Sequence, residues 1–176
     1  MHIAGAGVIE FSEASATIGT RRLDLIPLVR AHADALFPVL CDEALYRYTH
    51  QAPPVSLSAL RDRFALLETR QSTDGTERWL NWLLRESGEA IGYVQATVIA
   101  EEATVAWVIG SAWQRHGYAT EAVGAMISWL RSAGTRVIRA NIHPEHVASQ
   151  RVAGKVGLSP TGKTVDGETV WILEAG

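Results

Sequence analysis

The chain has 176 residues, 47% of them apolar, enough for one sizeable core and too few for two ordinary domains. Sixteen Lys and Arg stand against nineteen Asp and Glu, and the basic residues are scattered, which argues against nucleic acid as a partner. The single cysteine, Cys41, excludes an internal disulfide and a multi-cysteine zinc site. The start lacks a basic and apolar leader, and no run of 18 apolar residues occurs, so a cytoplasmic protein without membrane contact is expected.

Residues 1–18 read as an N-terminal extension and residues 19–176 as one domain. Gly5-Ala6-Gly7 hints at a dinucleotide fingerprint, but Glu10 stands where the third glycine belongs and four preceding residues are too few for a strand. Residues 22–28 predict a strand and 31–41 a helix shortened or kinked by Pro38. A short helical turn over 42–48 follows, then the Pro53-Pro54 break. A second helix is expected over 58–70, where Leu57, Leu60, Phe64 and Leu67 form a stripe. Strands at 79–85 and 90–99 flank Glu86-Ser87-Gly88-Glu89, a hairpin signal. Residues 105–109 are a short apolar strand. The next helix carries Ala119, Ala122, Val123, Met126, Ile127 and Leu130 on one face. A strand over 137–142 leads to a helix over 146–156 with Gly157 as its stop. Strands at 158–164 and 169–174 close a hairpin around Asp166-Gly167. The order β-α-α-β-β-β-α-β-α-β-β makes a mixed α/β domain.

Two stretches carry chemistry. Between the strand at 105–109 and the following helix lies Gln114-Arg115-His116-Gly117-Tyr118-Ala119. A helix start leaves N–H groups unpaired and carries about half a positive charge, which suits an anion. Gly117 lets backbone approach a ligand without a Cβ in the way, and Arg115 and His116 add donors. The second stretch brings Asn141, His146 and Ser149 to the end of one strand and the start of one helix. Together the two describe a β-α-β-α unit that holds a phosphate-bearing cofactor. A third string, Gly157 to Thr164, matches the G-x4-G-K-T phosphate loop, with Lys163 and Thr164 in the phosphate and magnesium positions. That loop needs a strand before it and a helix after it, whereas here a helix precedes and a turn and strand follow. It is read as a helix stop followed by a hairpin. The six histidines form no HExxH-type pair, and no metal site is expected.

Spaced Q-x-x-G-x-A and N-x4-H-x-x-S-x-x-V, the two stretches resemble the GNAT N-acetyltransferase superfamily, in its RimJ/RimL-like branch. HGYATEA at 116–122 and NIHPEHVASQRVAGKVGL at 141–158 carry the likeness, and RRLDLIPL and RESGEAIGYV extend it upstream, over roughly residues 20–175. The resemblance implies a mostly antiparallel twisted sheet of about six to seven strands, a parallel pair at the cofactor cleft and about four flanking helices. It implies acetyl-CoA as donor and a small amine or a protein N-terminus as acceptor, attacked directly. The pyrophosphate would sit on backbone N–H groups from Arg115 through Thr120, including His116, Gly117, Tyr118 and Ala119. The pantetheine arm would pair with the strand carrying Trp107, Val108 and Ile109, and Gln114, Asn141, His146 and Ser149 would complete the cofactor site. His146 departs from the asparagine frequent among relatives. Ser149 is the expected acid for the leaving thiolate. Many relatives carry a glutamate three residues before the aromatic of the fourth strand, where this chain has Thr104. Glu102 and Glu168 are candidate bases, beside a base acting through water and an acceptor that needs little help. The acceptor pocket would draw on Tyr46, Tyr48, His50 and Gln51, with Trp82 and Tyr93 from the central strands. Relatives are often dimers, so a homodimer is among the expected states. A non-catalytic acyl-CoA-binding module is the alternative function that the missing glutamate suggests, with a nucleotide triphosphatase using Lys163 as a remote third.

Overall fold

The computed structural model of the chain describes residues 16–174. Gly5-Ala6-Gly7 and most of the expected extension lie outside them. Eight strands form one sheet among the described residues. They are β1 (Ile18–Gly19), β2 (Leu23–Pro27), β3 (Arg78–Glu86), β4 (Glu89–Ile99), β5 (Glu102–Ile109), β6 (Val137–Ile142), β7 (Ser159–Val165) and β8 (Glu168–Glu174), in the order β1-β2-β3-β4-β5-β6-β8-β7. The count exceeds the expected six to seven because β1, two residues paired to β2, straddles the boundary between the expected extension and the domain. Every pairing is antiparallel except that of β5 with β6.

Among the described residues four α-helices flank the sheet: α1 (Ala33–Leu40), α2 (Leu57–Glu68), α3 (Tyr118–Ser132) and α4 (Val147–Lys155). Pro38 sits inside α1, which ends two residues later, as a ring without an N–H predicts. Ser56 caps α2, its hydroxyl accepting from the Ala59 N–H at 3.1 Å. Gly157 adopts φ 94° after α4, and the Leu158 N–H donates to the Ala153 carbonyl at 3.0 Å. This is a Schellman stop, which only a residue tolerant of positive φ closes without strain. The chain then runs into β7, whose seven residues are all exposed. The string ending in Lys163-Thr164 therefore spans a helix stop and an edge strand, with no helix behind it to receive a phosphate.

The two sheet faces hold two cores. Under α3 and α4, Leu25, Trp82, Val94, Val105, Met126, Leu130 and Ile138 pack together. Under α1 and α2, Leu36, Leu60, Phe64, Leu83 and Tyr93 do so. Fully burying each such side chain contributes about 1.5–3 kcal/mol. An extra residue in β4 breaks its register with β3 between Leu84 and Arg85. Beside it, a Cβ on Gly92 would collide with the Val108 carbonyl, so β4 reaches the end of β5 only through glycine.

The parallel pair decides where a ligand enters. β5 and β6 pair only through Glu102↔Val137, Ala103↔Ile138 and Thr104↔Arg139. Beyond these, β5 stays with β4 as far as Ile109↔Gly92, and β6 stays with β8 as far as Ile142↔Thr169. The two strands thus part like a V, held from outside.

Candidate functional site: the cleft between the parted strands

A cleft of about 610 Å³ opens where the strands part. Its walls are the second half of β5, the end of β6, the turn leading into α3, and one face of α4. Past Thr104 the edge of β5 that faces β6 has no strand partner, so it can receive an extended chain. Trp107, Val108 and Ile109 line this edge. Gln114 secures its end, donating from Nε2 to the Ile109 carbonyl at 2.9 Å.

The N-terminus of α3 faces the same cleft. Its cap, Gly117, lies at φ 83° and offers no side-chain acceptor, while Arg115 lies at φ 68°. The first N–H groups of α3 consequently have no side-chain cap, and Gly117, Tyr118, Ala119 and Thr120 line the cleft. Arg115, Arg151 and Lys155 add three positive charges there, against the single carboxylate of Glu168. Unpaired N–H groups, a helix dipole and excess positive charge fit a polyanionic ligand.

Asn141, His146 and Ser149 meet at the mouth of α4, as their spacing implied. His146 is the helix cap, and its Nδ1 is buried without a partner. An orphaned N–H is costlier than a bare lone pair in such a place, so the favoured tautomer carries its proton on Nε2. Burial, then the nearby His143, pushes the His146 pKa down, which keeps the ring neutral near pH 7. The Tyr48 ring lies 4.8 Å from His146 and 5.5 Å from His143, so the segment between α1 and α2 reaches across the cleft.

The acceptor residues fare unevenly. Of the aromatic residues and histidine expected there, Tyr48 lines the cleft. Tyr46 instead donates its hydroxyl to the Leu40 carbonyl at 2.8 Å, and burial, with nearby Tyr93, pushes its pKa up to about 12. His50 donates from Nε2 to the Asp166 carbonyl at 3.2 Å, tying its segment to the β7–β8 turn. Trp82 is 1% exposed and packs edge-on against Trp129 of α3 at 5.4 Å, so it is core. Tyr93 is core on the opposite face, under α1. Alternation along the strands sends each ring to a helix layer and not into the cleft.

The two carboxylates named as candidate bases lie in different surroundings. Glu102 lies where β5 and β6 still pair, bound to Arg139 at 2.9 Å, and does not line the cleft. Thr104 lies on that same closed part. Glu168, the first residue of β8, does line the cleft, next to the turn held by His50. His116 folds back on its own turn, donating from Nδ1 to the Gln114 carbonyl at 2.8 Å and stacking on Tyr118, and stays outside the cleft lining. Arg151 and Lys155 were not foreseen, although their i,i+4 spacing places both on one face of α4.

Residues 22–159 match the acetyltransferase (GNAT) domain family. The chain belongs to the GNAT acetyltransferases. Among solved structures, this GNAT domain resembles Mycobacterium smegmatis RimJ in complex with a CoA-disulfide, with TM-score 0.78 and 20% identity over 92% of this chain and 88% of that one. It also resembles RimL, the ribosomal L7/L12 alpha-N-protein acetyltransferase in complex with coenzyme A, with TM-score 0.75 and 18% identity over 90% and 98%. The microcin C7 self-immunity acetyltransferase MccE, in complex with acetyl-CoA and AMP, gives TM-score 0.77 and 12% identity over 93% and 99%. At these identities the likeness is one of fold. No curated protein matches the GNAT chain in sequence.

Proposed function

We propose that this GNAT protein moves an acetyl group from acetyl-CoA to a primary amine, a protein N-terminus or a small amine. The observation that carries the reading is the parted β5–β6 pair with an uncapped helix start at its mouth. Acetyl-CoA supplies an activated acetyl thioester with a long anionic handle. The N–H groups from Arg115 through Thr120 would hold the pyrophosphate, with Arg115, Arg151 and Lys155 offsetting its charge. The free edge of β5 would pair with the pantetheine arm and aim a backbone N–H at the carbonyl that gains negative charge, worth about 3 kcal/mol.

The acceptor must be neutral to attack. At pH 7.4 a lysine-like amine costs about 4 kcal/mol to deprotonate, an α-amino group under about 1. Glu168 would take that proton, a role supported by its lining the cleft, which Glu102 does not. The new C–N bond forms as the C–S bond breaks, and Ser149 on the inner face of α4 would give its proton to the departing thiolate. Tyr48 and the His50–Asp166 bridge would form the wall against which the acceptor lies.

Thermal unfolding with acetyl-CoA, and separately with ATP and magnesium, tests the cofactor, and thiol release over a panel of peptides and small amines tests the transfer. Acetyl-CoA at 100 times its Kd should raise Tm by roughly 5–10 °C, and ATP should not. Binding without thiol release on any amine would leave a non-catalytic acyl-CoA module. A shift with ATP alone would return Lys163 to consideration.

A further inference from the structure

Arg22, the residue before β2, stays outside the cleft lining, yet it holds the turn into α3 at several points. Its Nη1 donates to the His116 carbonyl at 2.9 Å. Its Nε and Nη2 both reach Glu121 Oε2 at 2.7 Å, and its own backbone N–H donates to Glu121 Oε1 at 2.9 Å. Thr20 adds a hydroxyl to Glu121 Oε1 at 2.7 Å. The guanidinium also sits 4.6 Å from the centre of the Tyr118 ring. Two residues of the turn between β1 and β2 thus grip the first turn of α3 from outside the cleft.

We propose that Arg22 is the positioning residue that sets the anion seat of this site, an inference that rests on the acetyl-CoA reading above. The peptide bond between His116 and Gly117 is trans, so its C=O and N–H point in opposite directions. Holding the His116 carbonyl toward Arg22 turns the Gly117 N–H the other way, into the cleft. Without that hold the peptide can rotate, because Gly117 tolerates either hand of φ, and a rotation would present a carbonyl to the phosphates. The same guanidinium pairs with Glu121, whose carboxylate otherwise stands uncompensated one turn from the anion. Burial pushes the Glu121 carboxyl up, but hydrogen bonds from Thr20 and Arg22 outweigh it and hold the group below its usual range, hence ionised. Arg22 therefore aims a donor and cancels a repulsion at once. A lysine could supply the charge but not the fork that reaches both Glu121 and the carbonyl.

The test compares two donors in the same proteins. Acetyl-CoA uses the seat, whereas acetyl-pantetheine lacks the pyrophosphate and does not. In Arg22→Ala and Arg22→Lys, the Kd for CoA by calorimetry and the KM for acetyl-CoA should each rise about tenfold or more. The kcat/KM for acetyl-pantetheine should stay within about twofold of the parent, which also shows that the variants fold. Unchanged CoA affinity in both variants would overturn the proposal. An equal loss with both donors would overturn it too, since Arg22 would then be supporting the fold and not the seat. A parent protein that binds no CoA, in contrast, would sink the functional reading itself and this proposal with it.

Discussion

Glu102 and Glu168 differ little in chemistry and greatly in surroundings. Glu102 already has a cation, Arg139 at 2.9 Å, and sits where the parallel strands are still joined. Glu168 lines the cleft as its lone carboxylate among the described residues, beside a turn fixed by His50. Replacing Glu168 by Gln should lower kcat/KM for a lysine-like amine by about 10²–10⁴ while leaving CoA affinity nearly unchanged. Glu102→Gln should stay within about threefold, because its carboxylate does not line the cleft. Steady-state kinetics on the two variants checks both figures, and a larger loss in Glu102→Gln than in Glu168→Gln would reverse the assignment. Sequence proximity favoured Glu102, five residues from Trp107, while Glu168 lies far along the chain. The missing information was the hairpin that folds β8 back beside β6.

The helix start is the element on which cofactor binding turns. Gly117 must hold φ 83°, a conformation that costs other residues about 1–2 kcal/mol, and a Cβ there would stand 3.5 Å from Arg22 Nη2. In Gly117→Glu this strain is joined by a negative charge at the place where an anion must sit. The expected outcome is loss of CoA binding by more than about a hundredfold with circular dichroism unchanged, since α3 keeps its buried face of Ala122, Val123, Met126, Ile127 and Leu130. Calorimetry with CoA decides it, and undiminished affinity would remove the α3 N-terminus from the site. The turn and helix were legible because both signals are local: a glycine at a cap and an apolar residue every three or four. Arg22 and Thr20 were not, because their partner Glu121 is about a hundred residues away in the chain.

Two half-buried histidines make the stability of the whole molecule depend on pH. His146 and His32 both have lowered pKa values, burial being the first cause in each; His143 adds to it for His146, and for His32 Glu68 opposes it while Arg85 adds to it. In the unfolded chain both rings titrate near about 6.5, so as pH falls below that value the unfolded state takes up protons first. The stability these groups contribute is therefore full above about pH 6.5 and is lost as pH falls toward their folded values. Tm measured from pH 8 to pH 5 should fall across the lower part of that range, and more shallowly in His146→Asn. A parallel slope in the two proteins would show that His146 is not a source of the effect.

What the sequence determined by itself was local or periodic. The α3 face, the Gly157 stop, the turn at Asp166-Gly167 with φ 51° and 82°, and the order of strands and helices all follow from spacing a few residues long. Family likeness added the pairing of two such motifs into one site. The tertiary structure alone decided which side chains share the cleft. It sent Trp82 and Tyr93 to opposite cores, gave Tyr46 and His50 to backbone carbonyls, bound Glu102 to Arg139, and brought Glu168 and Tyr48 to the opening. The physical reason is the point at which β5 and β6 stop pairing. Alternation fixes which residues share a face of a strand, but where two strands part depends on the outer partners that hold them, β4 and β8, and these contacts lie far off in sequence.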